Sequence, residues 1–274
     1  MSEAPQSVGV LLKGWRQRRR VSQLVLAADA EVSQRHLSFV ETGRATPSRA
    51  MLLRLAERLD VPLRAQNALL LAAGYAPTFR DEALEGAALD LTAQVQAILD
   101  GHAPNPAIAV DRHWTLTAHN AVAARLFASA DPSLLTPPVN VLRLSLAPGG
   151  IGTHIANYRE WRAHLVHRVA REVERAADPV LATLLAELRT YPVPPGARPY
   201  RANAEEEKRA LTVPLELATA HGTLRLISTT TVFGTATDVT LSELALECFY
   251  PMDRESGAIL RTLAEASAGP PAAG

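Results

Sequence analysis

From Val8 to Gly74 the apolar residues recur at helical spacing in short runs, and most of these runs carry their own start or stop signal. Val8, Leu11, Leu12 and Trp15 make the first run, and Lys13 with Arg16 to Arg20 gives it a basic end that complements a helix dipole. Ser22 caps a two-turn helix in which Leu24, Ala27 and Ala28 face inward, ending near Ala30. Ser33 then restarts a helix with Leu37 and Val40 inward, until Thr42-Gly43 supplies a stop. Pro47-Ser48 opens a fourth, with Leu52, Leu55, Ala56 and Leu59 on one face, and Val61 to Ala73 makes a fifth that closes at Gly74. The expectation is a small five-helix domain.

The remaining chain is too long to be an appendage of that domain. With 274 residues, 47% hydrophobic and 20% charged, the composition is that of a globular protein with two cores rather than of a disordered chain. One cysteine, Cys248, excludes an internal disulfide framework and any site built from several cysteines. No apolar run is long enough to span a bilayer and no basic-then-apolar leader opens the chain, so a cytoplasmic protein without a membrane partner is expected. The formal charge is zero, but residues 1–80 hold 12 Lys and Arg against 6 Asp and Glu, and the rest holds 16 against 22. A basic head on an acidic body favours a polyanion at one end only.

Beyond Pro77, Leu91, Val95, Ile98 and Leu99 predict a connecting helix, broken by Pro104 and Pro106. Ala107 to Val110 and Trp114 to Ala118 read as a hairpin around Asp111 to His113, and Asn120 caps a helix running to Phe127. Two longer helices follow, one with Ile155, Tyr158, Trp161, Leu165 and Val169 inward, the other opened by Asp178-Pro179 with Leu181, Leu184, Leu185 and Leu188. Four prolines keep Tyr191 to Tyr200 irregular, after which Leu211 to Leu217, Thr223 to Phe233 and Thr240 to Tyr250 read as strands, with a turn at Gly222. Asp253 caps a last short helix before a disordered-looking tail, Ala266 to Gly274. The organisation expected is a head over 1–80, a linker over 81–104, a five-stranded antiparallel sheet with helices on one face over 105–265, and a tail over 266–274.

The string Val21-Ser22-Gln23, Leu26-Ala27, Val32-Ser33, Leu37-Ser38, Val40-Glu41-Thr42-Gly43 and Pro47-Ser48 closely resembles the helix-turn-helix of the lambda repressor and Cro type, the XRE family, over Gly9 to about Leu71. The resemblance implies double-stranded DNA as partner, with Gln23 on a phosphate, Ser33, Gln34 and Arg35 on the bases, and His36 and Phe39 as further contacts. Arg35 is the leading base reader, since a guanidinium can donate two bonds to guanine. Arg44 and Arg49 look like phosphate clamps that set affinity more than sequence choice, and Arg16 with Glu41 would form a structural ion pair. Glu31 stands where this family usually has Gly, so a left-handed backbone there would cost about 1 kcal/mol relative to Gly. The alternative for this segment is a helical protein-binding module.

Leu71-Ala72-Ala73-Gly74-Tyr75-Ala76-Pro77, Trp114 to Asn120, Phe233-Gly234-Thr235, Asp238-Val239-Thr240 and Phe249-Tyr250-Pro251 extend the resemblance to the MmyB-like bacterial transcription regulators. What this implies is a PAS-like second domain that takes a fatty-acid-like or other apolar small molecule; a homodimer is expected, and no cofactor is assigned. Trp114, Phe127, Tyr158, Trp161, Phe233 and Phe249 could line a cavity between sheet and helices, although aromatics are only 5% of the chain and ordinary core packing needs them too. His164 and His167, with Glu160 a turn before, and His113 and His119 match no metal-site spacing. No Gly-rich phosphate loop or nucleophile elbow is present, and no catalytic residue is assigned. Two rivals stand beside the ligand-controlled regulator: a constitutive DNA binder whose second domain only dimerises or docks a partner, and an enzyme with a histidine-based metal site.

Overall fold

A computed structural model describes residues 6–81, 89–201, 213–233 and 238–267. Their contacts divide them into two compact units, one of Met1–Ala83 with Glu174–Ala176 and Thr235–Ser242, the other of Leu84–Val173, Ala177–Gly234 and Glu243–Gly274. Part of the expected linker (82–88), the acidic run Glu205–Glu207, the strand start at Leu211, Gly234-Thr235 and the tail beyond Ser267 lie outside the described residues.

In the head, α1 (Val8–Arg18), α2 (Gln23–Asp29), α3 (Gln34–Glu41), α4 (Arg49–Arg58) and α5 (Leu63–Ala72) follow the expected order. Ser7, Ser22, Ser33 and Ser48 each stand one residue before a helix and accept the N–H of Val10, Val25, His36 and Met51. All five helices also end alike, in the left-handed residues Arg20, Glu31, Gly43, Asp60 and Gly74. Each is followed by an N–H that reaches back into its helix, as from Val32 to the Ala27 carbonyl at 2.9 Å or from Tyr75 to Leu70 at 2.9 Å. Leu12, Leu37, Val40, Leu55 and Leu70 form the fully buried centre. Gly9 lets α1 lie on α3, since a methyl group there would sit 2.4 Å from the Val40 carbonyl oxygen. Leu24 and Ala28, expected inside, are exposed, because the short α2 turns Leu26, Ala27 and Ala30 to the core instead.

The second unit holds β1 (Ala107–Val110), β2 (Leu116–His119), β3 (Leu215–Thr219), β4 (Gly222–Val232) and β5 (Ala245–Pro251) in the order β2-β1-β5-β4-β3, all antiparallel. Alternation along the strands gives one face Ile108, Val110, Leu215, Leu217, Leu224 and Leu226. They share a continuous core with α7 (Ala121–Phe127), α8 (Val141–Leu146), α9 (Tyr158–Ala176), α10 (Pro179–Thr190) and the last long helix, Arg254–Ser267. The opposite face, Ala107, Ala109, Leu246 and Cys248, is covered by Leu91, Val95 and Leu99 of α6 (Leu89–Gly101). The helix expected as a connector is thus a layer of the sheet.

Three expectations are corrected in detail. The fifth strand starts at Ala245, not Thr240, because Asp238 caps a helical turn, α11 (Val239–Ser242), by accepting the Leu241 N–H; the last helix is therefore α12. β2 starts at Leu116, because Asp111 accepts the N–H groups of His113 and Thr115 and leaves Trp114 left-handed at φ 64°. Ala266 and Ser267, assigned to the tail, still belong to α12. The stretch between α7 and α9 also holds α8 and two short 3-10 turns, Pro132–Leu135 and Ile151–His154, in runs too brief to show a period.

Candidate nucleic-acid interface and ligand cleft

Leu37 and Val40 anchor α3 from beneath, so Gln34, Arg35 and His36 of its first turn are exposed together. Ser33 lies beside them, but its hydroxyl oxygen accepts the His36 N–H at 3.1 Å and so serves the helix first. The half-buried Phe39 lies under Arg35, whose guanidinium carbon is 5.4 Å from the ring centroid. A stacked guanidinium is pre-oriented, so Phe39 acts here as a platform for Arg35.

Beneath this face lies a buried polar hub. Arg16 donates to both oxygens of Glu41, at 2.6 and 2.8 Å, and to the Val21 carbonyl at 2.9 Å. Gln23, expected on a phosphate, donates to the same carboxylate at 2.8 Å. Burial pushes the Glu41 carboxyl up, but the bonds from Arg16 and Gln23 and the guanidinium charge outweigh it and hold the group below its ordinary range. The hub ties α1, α2 and α3 into one body.

Arg44 and Arg49 are exposed in and after the loop that follows α3. Arg49 also donates from Nη2 to the Thr78 hydroxyl at 2.8 Å. Thr78 and its N–H partner, the buried Asn67, were not singled out from the sequence; the signal was available, since Asn67 is a polar residue inside the apolar run of α5.

In the second unit one cluster of charged groups turns inward. Arg168 on α9 pairs with Glu247 of β5 at 2.5 Å, donates to Thr230 of β4 at 2.8 Å and lies 4.4 Å over the Trp114 ring. The Trp114 indole N–H donates to Glu172 at 2.8 Å, one turn along α9 from Arg168. Burial pushes the Glu172 carboxyl up, with Trp114 and Arg168 opposing and Glu247 adding to the rise. The sequence does not single out these charged residues as a cluster, since they lie on separate elements, α9 and β5.

The six candidate aromatics are not gathered into one wall. Trp114, Tyr158 and Trp161 are buried in the main core with their polar atoms used, Tyr158 donating to the Leu146 carbonyl and Trp161 to the Ser145 hydroxyl. Phe127 and Phe249 pack against the same core, but Phe233 lies on the other face with α6, because the strand period turns it there. An open cleft of about 360 Å³ lies elsewhere, with Leu126, Leu217, Ala218 and Leu263 in its walls and Arg125, His154 and His221 among its lining residues.

The histidines are dispersed. His164 stacks on Trp161 and is held below its ordinary pKa, first by burial and then by the Arg168 charge. His113 pairs with Asp178 at 2.9 Å, and His119 contacts the Asn120 carbonyl. Among the described residues no three His, Cys, Asp or Glu side chains come together to hold a metal ion. Among them, too, no helix is long and apolar enough to cross a membrane.

Comparison with known proteins adds two matches along the chain. No curated protein matches it. Residues 7–70 match the model of a helix-turn-helix domain, and residues 91–263 match that of the MmyB-like transcription regulator ligand binding domain. With the exposed first turn of α3 set on its Arg16–Glu41 hub, these matches make the chain a DNA-binding transcription regulator that belongs to the MmyB-like family.

Proposed function

We propose that the chain is a cytoplasmic, homodimeric regulator whose affinity for its operator is set by a fatty-acid-like ligand. The observation that carries the reading is the exposed Gln34-Arg35-His36 turn, with Arg35 stacked on Phe39 and the turn anchored by Leu37 and Val40. Arg35 and Gln34 read base edges, Ser33 and His36 flank them, and Arg44 and Arg49 grip phosphates on either side. Gln23 reaches the backbone only by sharing its amide between Glu41 and a phosphate. Two heads on a twofold dimer would meet half-sites one helical turn apart.

The ligand is taken in the cleft beside α7, β3 and α12, whose leucines suit an acyl chain and whose Arg125, His154 and His221 suit a carboxylate. The filled packing around Trp114, Tyr158 and Trp161 favours the other reading, in which the second unit only dimerises. Native mass spectrometry of gently purified protein, followed by operator titrations with saturated fatty acids of graded length, separates the two. A released acyl compound and an operator affinity that changes with it support the sensor; an empty dimer indifferent to every fatty acid overturns it.

A further inference from the structure

After α5 the chain turns at Gly74 and returns as a strap, Tyr75–Asp81, tied by side chains along its length. The buried Asn67 accepts the N–H groups of Thr78 and Phe79 at 3.0 and 3.1 Å and donates to the Phe79 carbonyl at 2.8 Å. The Tyr75 hydroxyl donates to the Pro47 carbonyl at 3.0 Å, and Arg64 pairs with Asp81. Pro47 and Arg49 flank the cap of α4, so the strap grips the start of α4 at two points, through Tyr75 and through the Thr78–Arg49 bond.

A further hold comes from a distant part of the sequence. The Val239 N–H donates to the Arg80 carbonyl at 2.8 Å, and the Val239 side chain is fully buried. Val239 opens α11, which contacts α5 and belongs by its contacts to the compact unit of the head, although the chain enters it from β4 and leaves it for β5.

We propose that the strap is a positioning element for DNA binding: Thr78 holds Arg49 ready for a phosphate, and Val239 holds the strap, making the β4–β5 connection an input to DNA affinity. A guanidinium has five N–H donors, so the bond to Thr78 leaves Arg49 others for a phosphate. Arginine has one of the larger side-chain entropies to lose on binding, and a side chain already fixed loses less. The strands that carry the connection hold the sheet of the second unit, so a ligand that strains them acts on Arg49 through the covalent chain. The proposal rests on the chain being a DNA-binding regulator.

The test uses the full chain and a random-sequence duplex, because phosphate contacts govern non-specific affinity and its salt dependence. Arg49→Ala, which loses the contact, should lower the slope of log affinity against log salt by about 0.9 for each head bound. Thr78→Val should weaken binding roughly two- to tenfold while keeping that slope, since the contact survives but its ordering is no longer prepaid. Thr78→Ser should restore wild-type affinity, and Val239→Ala should match Thr78→Val with no further loss in the double variant. Should Val239→Ala melt the head, Asp238→Ala, which only uncaps α11, replaces it.

A wild-type chain that ignores the duplex overturns the regulator reading itself. A wild type that binds, with Arg49→Ala impaired and Thr78→Val unchanged, overturns the positioning role alone. Thr78→Val impaired with the connection variants unchanged overturns the input from β4–β5.

Discussion

A set of charges in the head and a set in the second unit are arranged in opposite ways. In the head, Arg35, Arg44 and Arg49 stand on the surface, where a polyanion can reach them. In the second unit Arg168, Glu172 and Glu247 face inward, fastened to one another, to Thr230 and to Trp114. Surface charge can change with little effect on the fold, whereas an inward charge has been desolvated and depends on its partners. Substitutions in the first set should therefore alter recognition, and substitutions in the second should alter folding.

The largest break in that contrast comes from removing a buried carboxylate. Glu247→Ala leaves Arg168 without its closest partner and should destabilise the second unit by about 3–5 kcal/mol, with peptide-resolved hydrogen exchange in α1–α4 unchanged. Glu41→Ala is the matching experiment in the head, where it should cost a similar amount and spare the sheet. If either deletion loosens both units equally, they do not fold as the separate bodies that their cores suggest.

Next in size is recognition. Arg35→Ala should lower the preference for operator over random DNA by about 1–3 kcal/mol with no change in melting. Arg44→Ala should weaken binding to both DNAs alike and flatten the salt slope by about 0.9. An operator preference that survives Arg35→Ala in a competition assay removes Arg35 from base reading.

Proton linkage sharpens the contrast with a smaller effect. Glu172 is pushed above the ordinary carboxylate range, so within that window the folded second unit keeps a proton that the unfolded chain has released, and its stability falls as pH rises. Glu41 is held below the ordinary range, so its contribution to the head is full above that range and is lost as pH falls through the lowered value. Hydrogen exchange should show these opposite slopes on the two sides of the ordinary carboxylate range, the first above it and the second below it, with Glu172→Gln flattening the first and Glu41→Gln the second.

These differences also explain what could be read from the sequence. The caps Ser22, Ser33 and Ser48 and the stop at Gly43 are legible because the head is made of local signals at fixed spacings, whereas the Arg16–Glu41 pair, 25 residues apart, is implied only by the family resemblance. The five-stranded antiparallel sheet is legible in the succession of hairpin, helices and strands, but its strand order is not, and α11 is hidden, since Asp238 caps a turn inside what reads as a strand. The inward cluster was hidden for another reason: Trp114 lies 58 residues from Glu172, and Arg168 lies 79 from Glu247. No periodicity links residues so far apart. Even the Thr78–Arg49 bond, 29 residues long in sequence, escaped a reading built on motifs.

The smallest prediction concerns the helix ends. Arg20, Glu31 and Asp60 hold the left-handed position that Gly43 and Gly74 fill at the other two ends. Glu31→Gly should therefore raise the thermal midpoint of the head, by an amount worth about 1 kcal/mol, without touching the reading face. The natural head is thus kept below the stability its own design allows, and DNA, which binds only the folded form, contributes part of the difference by mass action. Proteases that cut opened chains would then clear unbound molecules faster than operator-bound ones, so the lifetime of the regulator in the cell would follow the occupancy of its sites.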